Sequence, residues 1–343
     1  MSNEILSSPT SGKATIRDVA KLAGVSEATV SYIVSGRRGG HSRISEATRQ
    51  RVQAAAAELG YMPNSAARIL RRQRTDRIVV TMPIITPYHT ILVQQLQQAA
   101  DAFGYFTMVA VAGSEERELK TVDQLRRGLA DAAVIKDARF LCTDHFRQLA
   151  ATGLALVVMD DVTEPDGFDV ARLREEQACE HAVDMLRDRG HTRFAIFGDR
   201  SNVFGARKID RYINLLREAG YTDSDFTVFG SVEGRRDAYN AVLEMIALEQ
   251  RPTAVLAVTD RGAIGALLGA RHAGLSVPGD LAIVGIGNIP ETEITTPPLT
   301  TIGLRDMDFS GVAELLFDRM TASEPPPGRT QWLEVDLIQR GSA

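Results

Sequence analysis

Cysteine is scarce in this sequence: Cys142 and Cys179 are the only two in 343 residues. Two cysteines cannot form the disulfide framework of a small secreted domain, and they fit a protein from a reducing compartment. The sequence also lacks an uninterrupted apolar run of the ~18 residues that a membrane helix needs. Residues 1–13 lack the basic and then apolar pattern of a secretion signal, so we interpret them as a disordered leader. These absences predict a cytoplasmic protein with no membrane contact.

Sequence motifs of catalysis and of cofactor binding are also missing. The segment GIGNIP at Gly285 lacks the third glycine of a dinucleotide fingerprint, so we interpret it as a strand end. Cys142 with His145, and Cys179 with His181, are not followed by a second pair at zinc spacing. No serine has the histidine and aspartate pattern that suggests a catalytic triad. We therefore expect no cofactor, no metal and no enzymatic activity.

Charge is distributed unevenly along the chain, although the net charge is only -5. Residues 1–75 contain twelve Lys and Arg against five Asp and Glu, whereas the remaining residues contain 27 against 39. A basic segment joined to an acidic body favours nucleic acid as the partner of the basic segment. A solvated basic face without a partner is the alternative, because charge alone does not separate the two.

The pattern between residues 14 and 62 predicts three helices. Thr15 precedes an apolar periodic run and forms a capping pair with Asp18 at the start of the first helix. Gly24 supplies the turn, because glycine tolerates a positive φ angle. Ser26 and Ser45 are the expected N-caps of the second and third helices, and we predict that Thr15, Ser26 and Ser45 also contact DNA. Two short helices joined by a glycine turn indicate a helix-turn-helix unit, which places its second helix in the major groove of DNA.

The second helix leaves a polar face outward, and from this face we predict contacts to DNA. Its outward residues are Glu27, Ala28, Thr29, Ser31, Tyr32 and Ser35. The Ala28 methyl group suits thymine and Tyr32 suits a base edge, whereas the hydroxyl groups suit phosphate oxygens. Glu27 would repel phosphates unless it accepts a hydrogen bond from a cytosine amine. The alternatives are that Tyr32 packs against its own domain and that Glu27 only stabilises the helix N-terminus.

A basic loop at residues 37–43 follows the second helix. We predict that Arg37 and Arg38 lie along the phosphate backbone, where each neutralised phosphate steepens the salt dependence of binding. Ser45, which caps the third helix, adds a hydroxyl group near the same loop. A solvated loop without DNA contact is the alternative.

Residues 63–76 are predicted to form a short hinge helix and a linker. Pro63 suits the turn before a helix and Asn64 suits its cap. The small side chain of Ala67 allows close approach to a second copy of the chain. Leu70 is a candidate wedge between base steps in the minor groove, with arginines around it, and Asn64 and Ala67 are predicted DNA contacts in the same segment. Taken alone, the segment is better interpreted as a flexible linker.

From residue 77 onward, apolar strand-like runs alternate with amphipathic helices. The predicted strands are RIVVTMP, FTMVAVAG, AAVI, ALVVMDD, RFAIFGD, FTVFG, AVLAVTD and LAIVGIG. The alternation predicts parallel βα units, and eight or nine strands suit two similar subdomains. We expect an N-subdomain of residues 77–160 and 292–324 and a C-subdomain of residues 161–291 and 325–343. The predicted fold is therefore an all-α helix-turn-helix head on an α/β core of two doubly wound parallel sheets.

Polar residues end several of these strands, and ligands of such sheets bind beyond the carboxyl ends of the strands. The strand-end residues are Asp161, Asp199, Asp260 and Asn288, and Tyr88 and His89 are expected to face them. This convergence predicts a cleft for a small polar ligand. The alternative for Asp199 and Asp260 is that each caps a helix.

The motifs DVAKLAGVSEATVS, ISEATRQRV and GYMPNSAARIL, in this order, resemble the lactose-repressor (LacI/GalR) family of bacterial transcription factors. The body resembles the same family in RGHTRFAIFGD and TPPLTTIG. The resemblance implies a core like a periplasmic sugar-binding protein, base reading by positions 27, 28 and 32, and insertion of Leu70 into the operator. The family's ligand-gripping arginine falls on Lys208, or on Arg207 if the register shifts by one.

The sequence departs from the family pattern around the cleft. Thr259-Asp260 stand where the family usually has Asn-Asp, and Gly287-Asn288 replace its paired aspartates. More basic and fewer acidic residues would suit a ligand with a carboxylate or phosphate group. This suggests, as a hypothesis, a sugar acid or sugar phosphate in place of an ordinary sugar.

Together these features predict a transcriptional repressor, associated with the nucleoid, whose operator affinity is controlled by a small-molecule effector. We expect a homodimer on a pseudo-palindromic operator, because two-fold symmetry then matches the DNA. Residues 339–343 contain no leucine heptads, so we expect a dimer and not a tetramer. Two alternatives share the body: a solute-binding protein of the transport type and a nucleotide-dependent α/β enzyme.

Overall fold

The computed structural model describes residues 14–34, 44–62, 74–324 and 326–343. Some residues predicted to contact DNA lie outside the described residues, namely Ser35, Arg37, Arg38, Asn64, Ala67 and Leu70. The chain divides into two compact units, Met1–Arg74 and Thr75–Ala343. We call the described part of the first unit the head and that of the second the body. None of the described helices is long and apolar enough to cross a membrane.

The head contains the three predicted helices, which we label α1 (Ile16–Ala23), α2 (Glu27–Val34) and α3 (Glu46–Glu58). Their inward sides form one small hydrophobic core. The buried members of this core are Val19, Ala20, Ala23, Val30, Ile33, Val52 and Ala55. These residues recur at helical spacing, so the apolar period of the sequence is what brings the three helices together.

All three predicted N-caps are confirmed. The Thr15 hydroxyl accepts from the Asp18 backbone N–H, and the Thr15 backbone N–H donates to Asp18 Oδ2 at 2.9 Å. Ser26 Oγ and Ser45 Oγ each accept, at 3.2 Å, the backbone N–H of the residue three positions later. Gly24 has a φ of 65°, so the turn between α1 and α2 uses the left-handed conformation that glycine tolerates.

The body contains two sheets of six strands each. The first sheet is built from β1 (Arg77–Met82), β2 (Phe106–Val111), β3 (Ala132–Lys136), β4 (Ala155–Met159), β5 (Asp169–Arg174) and β11 (Thr330–Glu334). The second is built from β6 (Phe194–Phe197), β7 (Phe226–Phe229), β8 (Ala254–Ala257), β9 (Ala282–Ile286), β10 (Thr300–Gly303) and β12 (Asp336–Ile338). The strand orders are β11-β5-β4-β3-β1-β2 and β12-β10-β9-β8-β6-β7. Every pairing is parallel except the antiparallel pair of β10 and β12.

Helices connect most of the strands. They are α4 (Pro87–Ala102), α5 (Glu115–Arg126), α6 (Thr143–Ala150), α7 (Glu176–Asp188), α8 (Val203–Glu218), α9 (Arg235–Met245), α10 (Asp260–His272), α11 (Glu291–Ile294) and α12 (Ser310–Thr321). Every residue of β4, β6, β8 and β9 is buried. Continuous burial of this kind is typical of parallel sheets that are covered on both faces, which agrees with the predicted doubly wound fold.

The chain crosses between the two sheets at points that differ from the predicted boundaries. The crossings follow β5, β10 and β11, whereas we expected them near residues 161, 292 and 325. β5 pairs with β4 although no helix joins them, so the polar residues after β4 end a strand and not a subdomain. β10 pairs with β9 across a connection that contains only the short α11, and β11 returns to the first sheet beside β5. Local sequence does not specify which strands pair. The observed pairing therefore places all three subdomain boundaries after the predicted positions.

Candidate functional site

The first candidate site is the outward face of α2. Glu27 and Ala28 are exposed, and Ser31 and Tyr32 are half-buried. Tyr32 packs at the edge of the head core, so the packing alternative describes part of this side chain. The Glu27 carboxylate lies 4.0 Å from Arg17 Nε in an exposed ion pair, which offsets part of its repulsion toward a phosphate. The most accessible groups of α2 are therefore those of its first turn.

The hydroxyl groups predicted to contact DNA are also engaged within the head. Ser26 Oγ lies 2.9 Å from Thr29 Oγ1, and the Thr15 hydroxyl donates to Asp18 at 2.7 Å. Hydrogen bonds from Thr15 hold the pKa of Asp18 below its usual value. Ser45 likewise lies 2.9 Å from Thr48 Oγ1. These caps orient the N-termini of the helices, whose positive dipole ends suit phosphate oxygens.

The second candidate site is a cavity of about 230 Å³ in the body, formed where the carboxyl ends of strands from both sheets meet. The predicted ligand-contacting residues that line it are Tyr88, His89, Asp161, Asp199, Lys208 and Asp260. Arg207 and Asn288 were also predicted, but neither belongs to the lining. The location beyond the strand ends agrees with the expectation for open α/β sheets.

The N-terminus of α4 forms one wall of the cavity. Its cap, Thr86, places its hydroxyl 2.8 Å from His89 Nδ1, and His89 Nε2 lies 3.9 Å from Asp137 Oδ2. Lys136 Nζ contacts the same aspartate. Burial alone would raise the pKa of Asp137, but Lys136 and His89 outweigh burial and hold the pKa well below its usual value. The buried Tyr88 hydroxyl has no hydrogen-bond partner in the described part of the chain.

A buried ion cluster joins α8 to the segment after β5. Glu175 is 3% exposed and accepts from Lys208 Nζ at 2.7 Å and from Arg211 Nη1 at 2.8 Å. Burial would raise the pKa of Glu175, but the two cations hold it below its usual value. Of the two alternatives for the family's arginine position, Lys208 therefore lies at the cavity. Arg207 lies instead with its Cζ 6.0 Å from the ring of Phe204.

Two of the predicted aspartates that line the cavity, Asp161 and Asp199, differ in their hydrogen bonds to the protein. Asp161, after β4, has no hydrogen bond or ion pair with a described residue, and burial raises its pKa. Asp199, after β6, accepts from the Ser201 backbone N–H at 2.9 Å and from its hydroxyl at 2.7 Å. Asp199 does not cap α8, because Asn202 is the N-cap of that helix. Asp161 is thus the more available acceptor for a ligand.

Asp260 lies at the cavity with its carboxyl oxygens already bonded to the protein. Thr259, and not Asp260, is the N-cap of α10, since its hydroxyl accepts from the Gly262 N–H at 3.1 Å. Asp260 accepts from the Thr301 hydroxyl and, at 2.9 Å, from the Ile289 N–H. Burial raises the pKa of Asp260 to about 6 although these hydrogen bonds oppose the shift. The carboxyl group therefore supports the cavity wall.

The structure does not place Asn288 in the cavity. Its φ is 53°, and this left-handed conformation directs the side chain to the second crossing between the sheets. Asn288 Nδ2 donates to the carbonyl oxygens of Leu304 and Arg305, and its Oδ1 accepts from Arg340 Nη2 at 2.9 Å. A position at the end of a strand does not by itself show whether the side chain points into the cavity or toward the crossing segment.

Several charged lining residues were absent from the prediction. They are Lys136, Asp137, Arg139, Glu175, Glu233 and Arg261. Lys136 ends β3 and Asp137 follows it, so the strand-end rule used above would have found both. With all of these residues included, carboxylates outnumber Lys and Arg in the lining six to four. This balance contradicts the hypothesis of a basic pocket.

Apolar side chains form much of the remaining wall. They include Leu173, Phe204, Val232, Val258, Ile286, Ile289, Ile302 and Leu304. Most of them come from the second sheet or its connections, whereas Tyr88, His89, Lys136 and Asp137 come from the first. The second sheet also supplies charged residues through Asp199, Lys208 and Asp260. A ligand in this cavity would therefore meet polar and apolar side chains from both sheets, a mixture typical of small-molecule sites.

Comparison with protein families matches both parts of the chain. Residues 15–64 match the model described as bacterial regulatory proteins, lacI family, and residues 183–343 match the periplasmic binding protein-like domain. The HTH-type transcriptional repressor CytR of Escherichia coli (strain K12) is 30% identical over 335 residues, which cover 96% of each chain. The ribose operon repressor of the same strain is 29% identical over 96% of this chain and 100% of its own.

A solved structure supports the same arrangement of the fold. The lac repressor dimer bound to operator and the anti-inducer ONPF matches with a TM-score of 0.78 at 24% identity, over 96% of this chain and 99% of the other. The sequence match to CytR, which covers 96% of this chain, includes both the head and the body. It disfavours both alternatives that shared only the body, the transport-type binding protein and the nucleotide-dependent enzyme.

Proposed function

The chain belongs to the LacI family of bacterial regulatory proteins, and from this we propose that it represses transcription by binding a DNA operator under the control of a small-molecule effector. The observation that carries the proposal is the presence, in one chain, of a capped helix-turn-helix and a cavity lined by polar strand-end residues. The two parts supply the two binding partners that a ligand-controlled repressor needs. Linkage then requires that effector and DNA change each other's affinity by the same factor.

In the head, α2 enters the major groove and its first turn meets the base edges. Ala28 contacts a thymine methyl group and Glu27 accepts from a cytosine amine, while Tyr32 presents the accessible part of its ring. Thr15, Ser26, Thr29, Ser31 and Ser45 contribute helix N-termini and hydroxyl groups for the phosphates. The contacts assigned to the residues outside the described ranges, from Ser35 to Leu70, complete this surface and stay predictions.

In the body, the effector is an uncharged polyhydroxy compound. Two of the four basic lining residues are already neutralised, Lys136 by Asp137 and Lys208 by Glu175. The carboxylate of Asp161 is available to accept from ligand hydroxyl groups, and the buried Tyr88 hydroxyl is available to donate. A phosphate or carboxylate would meet an acidic lining, so we replace the sugar acid or phosphate hypothesis with a neutral ligand.

Two copies of the chain bind a pseudo-palindromic operator as a homodimer. The edge strand β2 offers a surface for this association, since Phe106 is 65% exposed and Val109 and Val111 are each more than 40% exposed. Exposed apolar side chains on an edge strand favour burial against a partner. Two linked heads then bind DNA more tightly than one. The protein acts on the nucleoid in the cytoplasm, without a cofactor.

Selection of random DNA duplexes with the full-length protein tests this proposal. We expect enrichment of a two-fold symmetric site whose retention weakens steeply with salt. Repeating the selection with neutral sugars, nucleosides, sugar acids and sugar phosphates identifies the effector class. Failure to enrich any duplex at low ionic strength would refute the DNA-binding proposal, and a selective response to a sugar phosphate would refute the neutral ligand.

A further inference from the structure

Asn288 holds the start of the second crossing, residues 304–309, from the side of the second sheet. Its Nδ2 donates to the carbonyl oxygens of Leu304 at 2.8 Å and Arg305 at 3.1 Å. Arg340 Nη2 donates to Asn288 Oδ1 at 2.9 Å and so orients the amide. Asn288 is 6% exposed, so these bonds are sheltered from water.

Gln95 of α4 holds the end of the same segment from the side of the first sheet. Its Nε2 donates to the Met307 carbonyl oxygen at 2.9 Å, and its Oε1 accepts from the Phe309 N–H at 2.7 Å. Met307 itself has a φ of 49°, a left-handed conformation that is rare for a long side chain. Strained backbone of this kind persists only when its surroundings hold it, and Gln95 bonds to both sides of it.

One end of the segment lines the cavity, and the other end contacts a residue that lines it. Leu304 lines the cavity directly. The Phe309 ring packs edge-on against the Tyr88 ring, with 5.0 Å between the centroids, and Tyr88 lines the cavity as well. A bound ligand therefore touches the segment at its first residue and, through one aromatic contact, at its last.

We propose that Gln95 and Asn288 are positioning residues that set the orientation of the two subdomains by holding the two ends of residues 304–309. Hinges are short segments whose few residues absorb changes of φ and ψ, and amide bonds from each side limit the conformations available to this one. Loss of either amide frees the segment and widens the range of subdomain orientations. The inference rests on the proposed function only for its link to effector and DNA.

Distances between spin labels on the two subdomains test this directly in the full-length chain. One label is attached to the native, exposed Cys142 and the other to Glu249→Cys on an exposed loop of the second subdomain. Cys179 is buried, and burial raises the pKa of its thiol to about 11, so it resists labelling. Excess unlabelled protein ensures that a dimer carries at most one labelled chain.

The variants to compare are Gln95→Leu, Gln95→Glu and Asn288→Asp, with Gln97→Leu as the matched control. Gln97 lies on the same helix, and its side-chain hydrogen bond within the described ranges is to Asp101 Oδ1 of that helix at 2.6 Å. We expect a broader or two-peaked distance distribution for Gln95→Leu and Asn288→Asp. Gln95→Glu keeps the acceptor for the Phe309 N–H, so its distribution should lie between those of Gln95→Leu and wild type. Gln97→Leu should match wild type.

Distributions that superimpose on wild type for all folded variants would overturn the proposal, as would an equal broadening in the control. If circular dichroism shows that Gln95→Leu does not fold, Gln95→Glu and Asn288→Asp decide the outcome. The measurement needs neither DNA nor effector. Its result therefore tests the role of Gln95 and Asn288 independently of the proposed function. Operator retention by the same variants then shows whether the altered orientation reaches the head.

Discussion

The head and the body place their candidate functional residues in opposite surroundings. Glu27 and Ala28 are exposed on a short helix whose direction is set by a cap and a turn next to it in sequence. Glu175 is buried and Lys208 is half-buried, and the two residues lie 33 positions apart in the chain. We infer that substitutions at these exposed positions of α2 change DNA affinity at little cost in stability. In the body, a residue that lines the cavity also packs in the interior, so its loss changes both effector affinity and stability.

Among the substitutions that test this comparison, Glu175→Gln should have the largest effect, and the effect should be on the stability of the body. It leaves Lys208 and Arg211 without their buried carboxylate, so the free energy of unfolding of the body should fall by about 4 kcal/mol. Denaturant unfolding of the body measures the change. The neighbouring Glu176→Gln is the control, because Glu176 is exposed. Equal stability of the two variants would mean that the ion cluster contributes little.

Asp260→Asn should alter the pH dependence of body stability. The pKa of Asp260 in the folded protein, about 6, lies above its usual 3.8, so folding favours the protonated form. The stabilisation from this proton is present at low pH and is lost as pH rises through the folded pKa. Relative to wild type, the free energy of unfolding of Asp260→Asn should therefore rise by about 2 kcal/mol between pH ~4 and ~6.

Urea unfolding at a series of pH values tests this expectation. Asp280→Asn is a suitable control, since hydrogen bonds from Ser276 hold the pKa of Asp280 below its usual value and leave this pH range unaffected. A constant difference between Asp260→Asn and wild type across the range would show that Asp260 does not hold a proton there.

Leu70→Ala should weaken operator binding and leave the body folded. Removal of a wedge from the minor groove lowers the gain from bending the DNA, and we expect an affinity loss of about tenfold. Fluorescence anisotropy with the selected operator measures it. Leu248→Ala, at an exposed leucine of the body, should bind as wild type does. Unchanged affinity in Leu70→Ala would contradict the wedge.

Thr15→Ala should have the smallest effect. It removes the cap of α1 and its reciprocal bonds with Asp18, which should lower the stability of the head by about 1 kcal/mol. Thermal unfolding followed by circular dichroism would detect this, and Thr15→Ser, which keeps the hydroxyl, should restore it. If the alanine variant is as stable as the serine variant, the cap does not stabilise the head measurably.

The sequence predicted the head better than the cavity. Caps at Thr15, Ser26 and Ser45 and the turn at Gly24 act within three or four residues, so a local pattern contains them. In the body, all eight predicted strands are present, but β5, β10, β11 and β12 were not predicted. β5 and β11 mix apolar with polar residues and end in charged ones. β10 consists of two threonines, an isoleucine and a glycine, and β12 is only three residues long. Their pairing with neighbouring strands, and not their composition, makes them strands.

Alone, the sequence determined the helices of the head, the alternation of strands and helices in the body, and the family. These features depend on contacts between residues close along the chain. Only the tertiary structure decided which sheet contains β5, β10 and β11. It also decided that Glu175 pairs with Lys208 and that Asn288 bonds to the segment after β10. Each of these depends on partners far apart in sequence, whose approach the folded chain alone specifies.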